Sequence, residues 1–143
     1  MDGDYEDGRH PKEVRFTSNL KEDLKRRDFT INAMAYQPER GLVDLFGGVN
    51  DMEKKVIRCV GDPMERFQED ALRILRAVRF SAQLGFTIEA STKEAIGALA
   101  PNLKLVSAER IQVELVKLLV SPNPDYLRVA YETGAVSYTH LTL

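Results

Sequence analysis

The stretch GDPMERFQEDALRILRAVRFSAQLGF, residues 61–86, constrains the fold more than any other part of the sequence. Asp62 is a good N-cap acceptor for the free N–H groups at a helix start, Pro63 has the fixed φ of a first helical position, and Glu65 stands at the third, the spacing of a capping partner. Gly85 supplies a left-handed stop. At about 100° per residue, Phe67, Ala71, Ile74, Leu75, Val78 and Ala82 share one sector about 100° wide. These signals predict one long helix from Pro63 to Gly85 with a single buried face, which other elements must cover.

The same stretch carries Asp70, Arg73, Arg76 and Arg79 at strict three-residue intervals. Each step of three falls back by about 60° on a helix, so the charges form a ribbon winding around it. Asp70 lies at the edge of the apolar sector, one turn from Arg73. Side by side, a carboxylate and a guanidinium offer an acceptor and a donor to a planar partner such as a nucleobase. Adenine and cytosine present an amino donor beside a bare ring nitrogen, and so match the pair. Guanine and uracil present a carbonyl beside a ring N–H, and both bonds are lost. Arg76 and Arg79, further round, are left to reach phosphates or to hold a neighbouring element. Spacing alone equally allows solvated pairs, Asp70 with Arg73 and Glu69 with Arg73, each worth a few tenths of a kcal/mol.

Before this stretch the pattern is mixed. Residues 1–12 carry Gly3, Gly8 and Pro11 without apolar periodicity and read as a loop, and EVRFTS reads as a short strand. A helix is expected from Asn19, with Glu22 as capping partner, running to Arg27. INAMAYQPERGLVDLFGG predicts a hairpin turning at Pro38 to Gly41 and closing at Gly47 and Gly48. A helical piece around Asp51 to Lys55 and a strand VIRCV follow. Beyond Gly85 the chain reads as helical: Ser91 and Glu94 are spaced as a capping box, and Pro101 limits that helix. Ile111, Leu115, Leu118 and Leu119 share one face of the next helix, and a last helix runs from Asn123–Pro124 to Gly134. The expected architecture is α+β over residues 1–60, then all helix over 61–135, with a boundary near Gly61. The terminal AVSYTHLTL changes character, and residues 136–143 are expected to be non-native.

A chain of 143 residues with 43% hydrophobic and 29% charged residues can build a core. Lys and Arg number 20 against 22 Asp and Glu, a net charge of −2, so contact with nucleic acid has to come from local clusters. Cys59 is the single cysteine, which excludes an internal disulfide and fits a reducing, cytoplasmic setting. No apolar run approaches a membrane span. His10 and His140 lack metal-ligand spacing, and the Asp2, Gly3, Asp4 triplet does not fit a calcium loop.

Three segments, RRDFTINAMAY, GLVDLFGG and GDPMERFQEDALRILRAVRFSAQLGF, together resemble the class II tRNA nucleotidyltransferases, the CCA-adding enzymes, and their relatives the bacterial poly(A) polymerases. The resemblance runs in order from Asp2 to about Leu119. It implies that residues 1–60 are the C-terminal part of a nucleotidyltransferase head and 61–135 a helical neck. The activity implied is template-independent addition of C and A to the 3′ end of tRNA from CTP and ATP, with poly(A) addition or a non-catalytic nucleotide- or RNA-binding module as alternatives. By motif, Arg27 would contact the nucleotide and Asp28 would approach the ribose or support the acidic centre. Asp70 with Arg73 would read the base, and Arg76 and Arg79 would complete the nucleotide contacts. DGDYEDGRHP resembles the family's flexible loop, linked to the switch from C to A. The family holds Mg²⁺ through a D-x-D pair that the resemblance places upstream of Met1. No catalytic carboxylate is therefore expected within this chain beyond a supporting Asp28, and the chain alone is expected to be inactive.

Overall fold

A computed structural model describes residues 19–132, which form a mainly helical α+β structure. Helix α1 covers 19–25, and a 3-10 turn at Thr30–Asn32 leads into strands β1, Met34–Gln37, and β2, Gly41–Asp44. Then come α2, Gly48–Lys54; β3, Val56–Ile57; α3, Pro63–Glu69; α4, Leu72–Leu84; and β4, Thr87–Ile88. The chain closes with α5, Ala90–Leu99; a 3-10 stretch, Ala100–Leu105; α6, Ala108–Leu119; and, after a 3-10 turn at Pro124–Tyr126, α7, Leu127–Glu132. The expectations for the N-terminal loop, the EVRFTS strand and the 136–143 tail lie outside the described residues.

The hairpin forms as the sequence predicts, antiparallel, with Met34 opposite Asp44 and Gln37 opposite Gly41. Its exit is more specific than a flexible glycine pair. Gly47 adopts φ 80°, and Asp44 accepts hydrogen bonds from Gly48 N at 2.7 Å and Val49 N at 2.9 Å, so the strand end caps α2. Gly48 lies so close to the Thr30 carbonyl and the Met34 side chain that a Cβ would strike both. The expected VIRCV strand is reduced to Val56–Ile57, paired parallel with β4. The remainder is nevertheless used: Thr30 N donates to Arg58 O at 2.9 Å and Val60 N to Asp28 O at 3.0 Å, with Phe29 bridged to Cys59. Buried Asp51 completes this tie by accepting from Thr30 Oγ1 at 2.6 Å and Arg58 Nε at 3.0 Å.

The long helix predicted between Pro63 and Gly85 is two helices. Its start is as expected, Asp62 accepting from Met64 N at 3.0 Å with Pro63 in the first turn, and its end is Gly85 at φ 71°. At Asp70 the backbone turns extended, φ −155° and ψ 104°, and the Asp70 side chain takes the N–H of Leu72 at 3.1 Å. A short acid that bonds the backbone two residues on competes with the helical ladder, and here it ends α3 and starts α4. The apolar sector survives the break: Phe67, Ala71, Ile74, Leu75, Val78 and Ala82 are all buried. α3 packs on α5 and α4 on α6, and one buried cluster runs from Phe29 and Ile57 through these helices to Leu118.

Two further expectations are corrected. α5 is capped by Glu89, which accepts from Ser91 N at 2.8 Å and Thr92 N at 3.0 Å, so Ser91 is inside the helix and no box forms with Glu94. The longer glutamate reaches back over the first turn where serine was expected to cap. On α6, Ile111, Leu115 and Leu118 are buried but Leu119 is 47% exposed, because the buried stripe includes Glu114 instead. No helix among the described residues is long and apolar enough to cross a membrane.

Candidate functional site

The segment that follows α1 is held against the α3–α4 junction by guanidinium groups. Arg66, on α3, donates to the carbonyl of Arg26 at 2.9 Å and to that of Arg27. Asp28 is buried; its Oδ1 accepts from Asn32 Nδ2 at 2.8 Å and its Oδ2 from Arg76 Nε at 2.5 Å. Asn32 in turn accepts from Phe29 N at 3.3 Å, which fixes its amide. These bonds tie the RRDF segment to α4.

Between the two lies a cleft of about 410 Å³ lined by Arg26, Arg27, Asp28, Asn32, Asp70, Leu72, Arg73, Arg76 and Arg110. Five of the six residues expected to handle a nucleotide, Arg27, Asp28, Asp70, Arg73 and Arg76, thus share one cavity with five cations around it. An anion carrying a planar group suits such a site.

The pairing within it differs from the expectation. The Asp70 and Arg73 side chains do not bond each other; the two residues are joined only through the backbone, Arg73 N donating to Asp70 O at 3.1 Å. Arg110 of α6 binds the Asp70 carboxylate, Nη2 to Oδ2 at 2.9 Å and Nη1 to Oδ1 at 3.5 Å. Arg73 donates from Nη1 to Glu69 at 2.8 Å and to the Arg66 carbonyl at 3.0 Å. The reason is the break at Asp70: off the helix, its side chain no longer stands one turn below that of Arg73. Burial pushes the Asp70 carboxyl up, but the hydrogen bonds from Arg110 and Leu72 N outweigh it and hold the group below the usual carboxylate range.

Arg79 is corrected more sharply, for it lies outside the cleft lining. It is buried, with Nε 2.5 Å from Glu114 Oε1, Nη1 3.2 Å from Gln83 Oε1, and its guanidinium 4.4 Å from the centroid of Phe80. Glu114 also approaches Arg76 at 3.9 Å. Of the two uses that the spacing left open, Arg79 takes the second and holds the neighbouring helix. Glu114 and Arg110 were not singled out from the sequence. Glu114 had a signal, since a carboxylate three residues after Ile111 and four before Leu118 sits on the apolar face and requires a buried cation.

Cys59 is buried, and burial pushes its thiol up to about 12, which keeps it protonated and unreactive. Among the described residues no group of three or more His, Cys, Asp or Glu could hold a metal ion. The two cleft carboxylates, Asp28 and Asp70, are each bound by an arginine.

The sequence and the overall fold match known proteins. Residues 1–58 match the poly A polymerase head domain, and residues 85–140 match the probable RNA and SrmB-binding site of polymerase A. The chain is 56% identical over 139 residues, 96% of its length and 35% of the relative's, to a protein of Leuconostoc mesenteroides named CCA-adding enzyme. Its fold superposes with TM-score 0.81 and 45% identity on the Bacillus stearothermophilus CCA-adding enzyme in complex with CTP, covering 84% of this chain and 31% of that one. The Thermotoga maritima CCA-adding enzyme complexed with tRNA gives TM-score 0.77 at 36% identity, covering 83% and 30%. The chain belongs to the family of CCA-adding enzymes and poly(A) polymerases. It spans about a third of the length of the relatives it matches.

Proposed function

We propose that this chain is the nucleotide-selecting part of a cytoplasmic tRNA nucleotidyltransferase that adds C and A to the 3′ end of tRNA from CTP and ATP. Residues up to 60 belong to the catalytic head and residues 61–135 to the neck. The observation that carries the reading is the convergence of Arg27, Asp28, Asp70, Arg73 and Arg76 on one cleft. Asp70 accepts from the amino group of cytosine or adenine. Arg73 donates to the adjacent ring nitrogen from Nε or Nη2, since both of its bonds to the protein run from Nη1. Arg27 and Arg76 take the phosphates, and Asp28 holds Arg76 in place while supporting the sugar side of the site. Mg²⁺ neutralises triphosphate charge in phosphoryl transfer. The described residues contribute selection and orientation.

The test is incorporation into a tRNA lacking its terminal CCA, measured in the intact protein. CTP then ATP are expected to be added and GTP and UTP refused. Asp70→Ala and Arg73→Ala are expected to lose at least about tenfold of that discrimination, the scale set by one unpaired polar contact. Unchanged discrimination in both variants rejects the base-reading roles. The match to a poly A polymerase head domain favours a second reading, A addition to general RNA ends. It predicts no use of CTP.

A further inference from the structure

Arg110 sits in the first turn of α6, whose N-cap Ser107 accepts from Arg110 N at 3.3 Å. A cation gains nothing from the helix dipole at that end. Its side chain is about half exposed, so the pair with Asp70 is no requirement of folding. What the pair does is geometric. Asp70 lies at a helix break, where no helix rotamer fixes its carboxylate. Leu72 N takes Oδ1 and the Arg110 fork takes Oδ1 and Oδ2 edge-on, which sets the plane of the carboxylate in the cleft wall. The same two residues also line a second cleft of about 390 Å³, together with Glu69, Asn102, Leu105 and Val106. The pair is therefore a partition between two cavities.

We propose that Arg110 is a positioning residue for base selection: it holds the Asp70 carboxylate in one plane so that a lone pair of Oδ2 meets the amino group of cytosine or adenine. The inference rests on the reading of Asp70 as the base acceptor. A fork bound to both oxygens leaves lone pairs on the opposite edge of the carboxylate, and an amino donor uses one of them without displacing Arg110. Without the fork, Asp70 rotates about its side-chain torsions and can turn away from a base carbonyl, so the penalty against uracil and guanine falls. Arg110 thus acts on discrimination more than on total affinity.

Titration of the chain with CTP and UTP, which differ at that amino or carbonyl position, tests this by calorimetry. Wild type is expected to bind CTP at least about tenfold tighter than UTP, and Arg110→Ala to reduce the ratio below about threefold, mainly by gaining UTP affinity. Arg110→Lys is expected to restore part of the ratio, and thermal melting of both variants to stay near wild type. Asp70→Ala serves as the control that removes the acceptor. If Asp70→Ala abolishes the preference and Arg110→Ala keeps it, the positioning role is overturned and the reading of Asp70 stands. Equal loss or gain for both nucleotides in Arg110→Ala, with the ratio intact, also overturns it, since that is the mark of a structural or merely competing arginine. A wild-type chain without preference overturns the reading of Asp70 and this inference with it.

Discussion

Arg73 and Arg79 stand on one helix, six residues apart, and live in opposite environments. Arg73 borders an open polar cleft and shares its bonds with an exposed glutamate and a carbonyl. Arg79 is enclosed between α4 and α6 with a buried carboxylate and an aromatic ring. Arg76, between them, touches both sides, Asp28 at 2.5 Å and Glu114 at 3.9 Å. Two steps of about 60° carry the ribbon from the cleft side of the helix to its packing side. A three-residue interval on a 3.6-residue helix therefore divides the labour of like residues: one end borders the open cleft and the other fastens the scaffold.

The contrast breaks most visibly at the buried end. Glu114→Ala leaves Arg79 charged and unpaired inside the protein and is expected to cost about 3–5 kcal/mol in urea unfolding. A loss below about 1 kcal/mol would place the pair with ordinary surface bridges. Gly48→Ala comes next, because its Cβ meets a backbone carbonyl that cannot move freely, and about 1–3 kcal/mol of overpacking is expected by the same measurement.

Glu89 gives a smaller effect with a pH signature. Burial pushes its carboxyl up, but hydrogen bonds from Ser91 and Thr92, side chain and backbone alike, bring it to about 2. A carboxylate with a depressed value stabilises the fold fully above its unfolded value near 4.5 and loses that contribution as pH falls toward about 2. Glu89→Gln is expected to cost about 1 kcal/mol at pH 7, with the gap to wild type closing between pH 4.5 and 2. A gap independent of pH there would remove the charge from the explanation.

The smallest stability effect belongs to the cleft. Asp70→Ala breaks a half-exposed pair and one backbone bond, so about 1 kcal/mol or less is expected in unfolding while nucleotide preference is lost. That dissociation of stability from selectivity, opposite to the one at Glu114, is the sharpest statement of the comparison.

Local chemistry made much of this legible from sequence. Asp62, Pro63 and Gly85 marked both ends of the helical stretch, the apolar sector of α3 and α4 was read residue by residue, and the hairpin was located by its turn. Five of the residues singled out by motif, Arg27, Asp28, Asp70, Arg73 and Arg76, line one cleft. What escaped was set by partners far along the chain or by a side chain competing with its own backbone. The period through Phe67, Ala71 and Ile74 is continuous, so nothing in it announces the break at Asp70. Arg110 lies 40 residues from the carboxylate it binds. Arg79 and Glu114, 35 apart, became a pair only when α4 met α6.

The extended turn at Asp70 has a consequence beyond local geometry. α3 is seated on α5 and α4 on α6, so the Asp70 carboxylate belongs to neither rigid rod and its aim is the angle between two helical pairs. A substitution that reseats α3 on α5 is therefore expected to re-aim the Asp70 carboxylate from a distance, so the shape of the cleft wall is written partly in its masonry.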